Sequence, residues 1–246
     1  MIVPSYRRWF RFSLRTLLIA TLVVGALMGW VVKERRQSAR EHEIVKSLSS
    51  RKIFVEFCGP YDEAQDPSTQ AWWRNVTHDV FGTRAVFIAI GDNEFRDLNA
   101  LAGFTKLKAV HVKGTRVSDI TPLAGLKELI GIDLRDSEVR DITPLTSLKN
   151  LMHLKLDGTP VRDLSPLRKL TSLKSISLND TRVTDLSPLA ELDNLVGIQL
   201  NGTKVTDIMP LVGLKNLQFL DVGSASVPDE QIEALKRALP KCKMDR

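Results

Sequence analysis

The 246-residue sequence predicts an α/β solenoid with a parallel inner sheet, an N-terminal transmembrane helix with a small cap, and a C-terminal capping helix. Three observations carry that prediction. A 22-residue repeat holds one register from 79 to 222, with blocks starting at Leu101, Leu123, Leu145, Leu167, Leu189 and Leu211 and a weaker one at Asp79. Inside each block the apolar spacing shortens to two, as at Leu154 and Leu156, which is the period of a strand. Ahead of the repeats, Thr16–Val32 runs 17 residues without a charge.

Residues 1–12 read as a basic tail and 13–32 as a membrane anchor. Counted from Phe12 to Val32, with Arg15 snorkelling, the run reaches the roughly 20 residues that span a bilayer. Arginines 7, 8, 11 and 15 precede it, Lys33, Arg35, Arg36 and Arg40 follow it, and Trp9 and Trp30 sit where interfacial aromatics belong. A cleaved signal peptide and a buried core helix are the alternatives. The run exceeds an ordinary signal core and leads into Trp-Val-Val-Lys rather than an A-x-A site, and basic residues on both sides fit a bilayer better than a core. The basic counts on the two sides are nearly equal. Orientation therefore rests on the short four-arginine tail, which favours repeats on the extracytoplasmic side of a single-pass protein.

Residues 33–78 form a juxtamembrane helix and an N-terminal cap. Ala39, Ile44, Val45 and Leu48 lie near helical spacing among charges. Lys52–Cys58 alternates as a strand, and Gly59-Pro60 stops it. YDEAQDPSTQ reads as a polar loop, and Trp72 or Trp73 as the seal over the first repeat. Cys58 and Cys242 lie near opposite ends of the repeats and read as unpaired thiols.

Residues 79–228 are the repeats, with the pattern L-x-x-L-x-x-[LI]-x-L-x-x-T-x-V-x-D-[IL]-x-P. One strand per block, stacked at about 4.8 Å, makes the inner sheet. This pattern resembles the leucine-rich repeats, specifically the short 22-residue type of internalin-like bacterial proteins, over residues 79–232. The tail, apolar helix and cap ahead of it look like bacterial membrane-anchored repeat proteins. One position departs from the family, where an inward asparagine is usual: here it is Asn93, Thr115, Ser137, Thr159, Thr181, Thr203 and Ala225. Hydroxyls there can still bond the turn backbone.

The recurrent aspartates are Asp97, Asp119, Asp141, Asp163, Asp185, Asp207 and Asp229. After Asp119, Asp141, Asp163, Asp185 and Asp207, proline three residues on keeps the convex segment from becoming a full α-helix. The carboxylate is placed to accept backbone N–H bonds at the start of a short helical turn. A calcium ladder would need several oxygen ligands per turn, and each block offers one regular aspartate, so the row reads as scaffolding. Arg96, Arg140 and Arg162 stand next to three of the carboxylates and would soften their mutual repulsion. Residues 229–246 are a cap helix and tail, with Ile232, Leu235 and Leu239 on one face and Pro240 as the stop.

Composition narrows function. The net charge of +6 belongs to the N-terminus: residues 1–78 hold 12 Lys/Arg against 7 Asp/Glu, whereas 79–228 hold 18 of each. A balanced repeat region argues against nucleic acid. No nucleophile motif, phosphate loop or metal-ligand spacing is present, so no enzyme activity, cofactor, metal or small-molecule substrate is expected. The sheet's outward columns are small, polar and of mixed charge. They run Ala109-Gly131-His153-Ser175-Gly197-Phe219, His111-Asp133-Lys155-Ser177-Gln199-Asp221, and Lys113-Arg135-Asp157-Asn179-Asn201-Gly223. The expectation is a membrane-tethered protein-binding or scaffold module whose concave face meets a protein partner through Lys113, Asp133, Arg135, His153, Lys155, Asp157 and Phe219. An envelope spacer with no specific partner, or a carbohydrate-binding or enzymatic accessory protein, are the alternatives.

Overall fold

The computed structural model describes residues 87–246 throughout, the backbone of Ile53–Glu56, and helical positions 22, 26, 29, 32, 33, 35–37, 39–41, 43 and 44. The chain divides into two compact units, Met1–Arg40 and Glu41–Arg246. In the first, the described positions are helical, and Leu22 and Val32 are exposed. The expected anchor, 13–32, lies outside the described residues except at 22, 26, 29 and 32. Among the described residues no helix is long and apolar enough to cross a membrane. The expected tryptophan seal and Cys58 also lie outside them, and Cys242 is a free, buried thiol.

The second unit is built on a nine-stranded sheet in sequence order. Its strands are β1 (Ile53–Glu56), β2 (Phe87–Ile90), β3 (Ala109–His111), β4 (Gly131–Asp133), β5 (His153–Lys155), β6 (Ser175–Ser177), β7 (Gly197–Gln199), β8 (Phe219–Asp221) and β9 (Lys243–Asp245). From β2 to β8 each strand pairs in parallel with residues 22 positions on, as in Val110↔Ile132↔Leu154. β1 falls within the strand expected at 52–58 and runs antiparallel to β2, pairing Ile53 with Ile90 and Glu56 with Phe87. An antiparallel partner occupies the edge that a further repeat would otherwise have filled.

The sequence pattern translates directly into the core. In one block Leu145, Leu148, Leu151, Leu154, Leu156, Val161 and Leu164 are all 1% exposed or less. Each such side chain is worth roughly 1.5–3 kcal/mol of burial, and no single repeat could bury its own leucines without neighbours. The far side is thin, as proline required. Its 3-10 segments are Asn99–Gly103, Thr121–Gly125, Thr143–Ser147, Ser165–Leu167, Ser187–Leu189 and Met209–Gly213.

The aspartates do what their position implied. Asp97, Asp119, Asp141, Asp163, Asp185 and Asp207 each accept, through Oδ1, the backbone N–H two residues on, at 2.7–2.9 Å. At Asp119, Asp141 and Asp163 the side-chain and then backbone hydrogen bonds from Thr121, Thr143 and Ser165 hold the carboxyl below its ordinary value. For Asp185 the backbone bond from Ser187 leads. Repulsion from the neighbouring repeat enters last at Asp141 and Asp185, so hydrogen bonding outweighs stacking of like charges. The arginine that helps Asp185 is Arg168, at the end of the preceding 3-10 segment, rather than an adjacent residue.

The substituted asparagine position is satisfied too. Thr115, Ser137, Thr159, Thr181 and Thr203 are buried, and each hydroxyl donates to the carbonyl three residues back at 2.5–2.8 Å. Asn93 is a correction: it is exposed, outside the column. The turn before this position is left-handed, with Gly114, Gly158 and Gly202 at φ 69° and Asp136 and Asp180 at 56–57°. Aspartate and glycine alternate for a steric reason. A Cβ on Gly158 would lie 2.5 Å from Asp136 Oδ1, and one on Gly202 would press closer still on Asp180 Oδ1.

After β8 the repeat gives way to α1 (Asp229–Ala238), with Ile232 and Leu235 buried against the last core layer. It ends as Pro240 dictates, with Leu239 already out of the helical region at φ −125° and ψ 68°. Asp229 is not a seventh turn-former. It sits in the helix's first turn and pairs with Arg246. The expected C-terminal tail is partly β9, which pairs in parallel with β8 through Phe219↔Lys243 and Asp221↔Asp245.

Candidate recognition surface

Alternation along β3–β8 turns one side chain of each strand into the core and its neighbours onto the open face of the sheet. Register then stacks those neighbours into columns, so the face is assembled from residues 22 apart: Asp133 sits beside His111 and Lys155, and Ser177 beside Lys155 and Gln199.

The columns are not uniformly open. Ala109, Gly131, Asp133 and Ser177 are buried, whereas His153, Lys155, Arg135, Asp157, Gln199 and Phe219 are half-buried and Lys113 and Asn201 are exposed. Asp133 corrects the expected contact set. Its side chain is 4% exposed, and the Arg135 guanidinium forks onto it: Nε donates to Oδ1 at 2.9 Å and Oδ2 at 3.1 Å, and Nη2 to Oδ2 at 2.6 Å. Burial by itself would raise the Asp133 carboxyl. The Arg135 side-chain and backbone bonds, its charge and that of His111 together outweigh burial and hold the pKa below the ordinary value. The same bond, ahead of its own burial, raises Arg135. These two residues, expected to bind a partner separately, bind each other.

Asp157 is drawn inward as well. Its Oδ1 accepts from Ser177 Oγ and from the Asn179 backbone N–H at 3.2 Å, and its Oδ2 is buried without a hydrogen-bond partner. Ser177 Oγ also lies 2.8 Å from Gln199 Oε1, facing two acceptors with a single hydrogen. Beyond it the Asn201 N–H donates to Asn179 Oδ1 at 2.9 Å, and Ser224 N–H and Oγ donate to Asn201 Oδ1 at 2.9 and 3.0 Å. This ladder of amides and hydroxyls crosses four repeats. Its signal was legible as the polar column Asp157-Asn179-Asn201, but its direction depends on rotamers.

The histidines sit two strands apart, on β3 and β5, as their spacing required. His111 meets Phe87 edge-on, with ring centroids 4.6 Å apart, and His153 Nδ1 is 2.7 Å from Ser175 Oγ. Burial lowers the His111 pKa, Asp133 opposes that, and Lys155 and Arg135 add to it. No group of three or more His, Cys, Asp or Glu positioned to hold a metal occurs among the described residues. Phe219 is partly screened by β9, with Lys243 Nζ 5.9 Å from its ring centre.

No family model matches the sequence, and no curated protein matches it. Solved structures do. An internalin (inlF) from Listeria monocytogenes is 29% identical, with a TM-score of 0.53 over 63% of this chain and 52% of that one. An internalin C2 (inlC2) from the same organism is 26% identical, with a TM-score of 0.52 over 65% and 80%. The chain shares the leucine-rich-repeat fold. A leucine-rich-repeat protein from Leptospira interrogans shares the fold at 20% identity, with a TM-score of 0.56 over 65% of this chain and 48% of that one. The chain spans about half the length of two of these three structures.

Proposed function

We propose that the protein is a recognition module, tethered to a membrane through residues 13–32, that binds a protein partner on the open face of β3–β8, with the repeats extracytoplasmic. One observation carries the reading. The core and the far side repeat nearly without change, while the face of the sheet differs at every repeat and remains partly open to solvent. Stacked repeats need a constant core, and nothing in stacking requires a varied face. Shape and polar contacts from this face would supply specificity, with no chemical step.

A photo-crosslinking side chain placed at Gln199 or Asn201, and separately at Arg162 on the opposite side, tests the reading in native membranes. Discrete adducts from the sheet-face positions alone are expected. Equal adducts from Arg162, or none from either face, would overturn it. Protease accessibility of the repeats in intact spheroplasts tests the orientation, and protection there refutes the extracytoplasmic assignment.

A further inference from the structure

The charged groups on the sheet face fall into two sets. The carboxylates at its centre are committed: Asp133 to the Arg135 guanidinium, and Asp157 to Ser177 and the Asn179 N–H, with its second oxygen buried. Arg135 is committed in turn, its guanidinium forked onto Asp133. The lysines are not. Lys113 is exposed and Lys155 half-buried, and neither side-chain ammonium makes an ion pair or hydrogen bond among the described residues. Lys113 follows β3 in the Arg135 column and Lys155 lies on β5 in the Asp133 column, so they stand diagonally across the Asp133–Arg135 pair, about 12 Å apart by strand spacing and rise. The countercharge beside them that remains exposed is Asp136, at φ 56° on the rim of the face.

We propose that the β3–β5 part of the sheet face receives a carboxylate-rich segment of the partner protein, with Lys113 and Lys155 making the ion pairs. This rests on the reading of the sheet face as the recognition surface and adds the partner's chemistry to it. Arg135 takes no direct part; its charge is used internally, and it fixes the floor between the two lysines. Asp133 and Arg135 cancel each other within the face, and Asp157 stays half-buried against Ser177 and Asn179, so the two ammonium groups are the positive charges left to meet a partner's carboxylates. The β6–β7 part of the face lacks such a pair: Ser175, Ser177, Gly197 and Gln199 on the strands, and Asn179 and Asn201 just after them, carry no charge.

The test uses the full chain in neutral detergent and a fluorescent eight-glutamate peptide, followed by anisotropy at low salt. Zero-length carbodiimide coupling then maps the peptide's carboxylates onto lysines. Coupling at Lys113 and Lys155 is expected, with affinity falling about tenfold in Lys113→Gln/Lys155→Gln. Asp136→Asn should tighten binding several-fold, and Lys127→Gln/Lys149→Gln, off the sheet face, should change it less than twofold. Coupling confined to other lysines, or equal losses from the two lysine pairs, would overturn the proposal. So would binding of heparin or anionic vesicles that depends on Lys113 and Lys155 more than the peptide does, since that assigns the pair to another polyanion. Failure here leaves the recognition reading intact if sheet-face crosslinking still captures a partner.

Discussion

Removing the Arg135 side chain should destabilise the repeats in a way that grows with pH. Asp133 has a side chain 4% exposed and takes three side-chain bonds from Arg135 plus its backbone N–H at 3.2 Å. Stripping the partner from a buried ion pair costs on the order of 3–5 kcal/mol. Arg135 is itself 33% exposed, so water reaches part of the pair, and about 2–3 kcal/mol is the expectation for Arg135→Ala at pH 7. In the native protein the folded carboxyl lies below 3.8, so its contribution is fully present above that value and is lost as pH falls from there through the lower folded value. Without Arg135, burial lifts the folded carboxyl above the unfolded one. The sign reverses, and the variant loses stability as pH rises from about 4. Urea unfolding of the native protein, Arg135→Ala and Asp133→Leu/Arg135→Met at pH 4 and 7 measures this. The apolar double variant should recover most of the loss. A single-variant penalty below about 0.5 kcal/mol, or one larger at pH 4 than at pH 7, refutes the account.

Three further outcomes follow from the scaffold. Gly158→Ala should cost about 1–2 kcal/mol from its positive φ, with more from the Asp136 oxygen 2.5 Å from the new Cβ. Adding Asp136→Gly should return the second part, and additive losses in chemical denaturation would show that the two residues do not meet. Acid should lower the melting temperature below about pH 4, as Asp119, Asp141, Asp163 and Asp185 protonate and lose bonds that depress their pKa in the folded state. Replacing all four with alanine should flatten that acid slope, and an unchanged slope counts against turn-forming carboxylates. Leu235→Ala in α1, fully buried, should cost about 2–5 kcal/mol and open the C-terminal repeat first, read as early loss of amide protection near Leu217 and Leu220.

Much of the scaffold was legible because repetition averages over local ambiguity. A single L-x-L could be helix or strand; seven in register cannot be both, and the observed pairing of residues 22 apart follows. β9 escaped because α1 interrupts the period: Lys243 pairs with Phe219 after 24 residues rather than 22. A second asparagine row also escaped. Asn150, Asn194 and Asn216 donate through Nδ2 to carbonyls of the preceding repeat at 2.8–2.9 Å. Its signal was the recurring L-x-N-L, which leucine spacing alone does not distinguish from solvent-facing polar residues.

The sequence by itself determined the repeat, the inward leucines, the turn-forming aspartates and the thin far side, since each depends on spacing, proline or a neighbour two or three residues away. Only the tertiary structure decided which charges on the sheet face remain available. Asp133 and Lys155 stand in the same column and look equivalent in sequence, yet one is sunk under a guanidinium and the other is left unpaired. Exposure and pairing depend on rotamers and on residues 20 or more positions away, and these exist only once the strands have stacked.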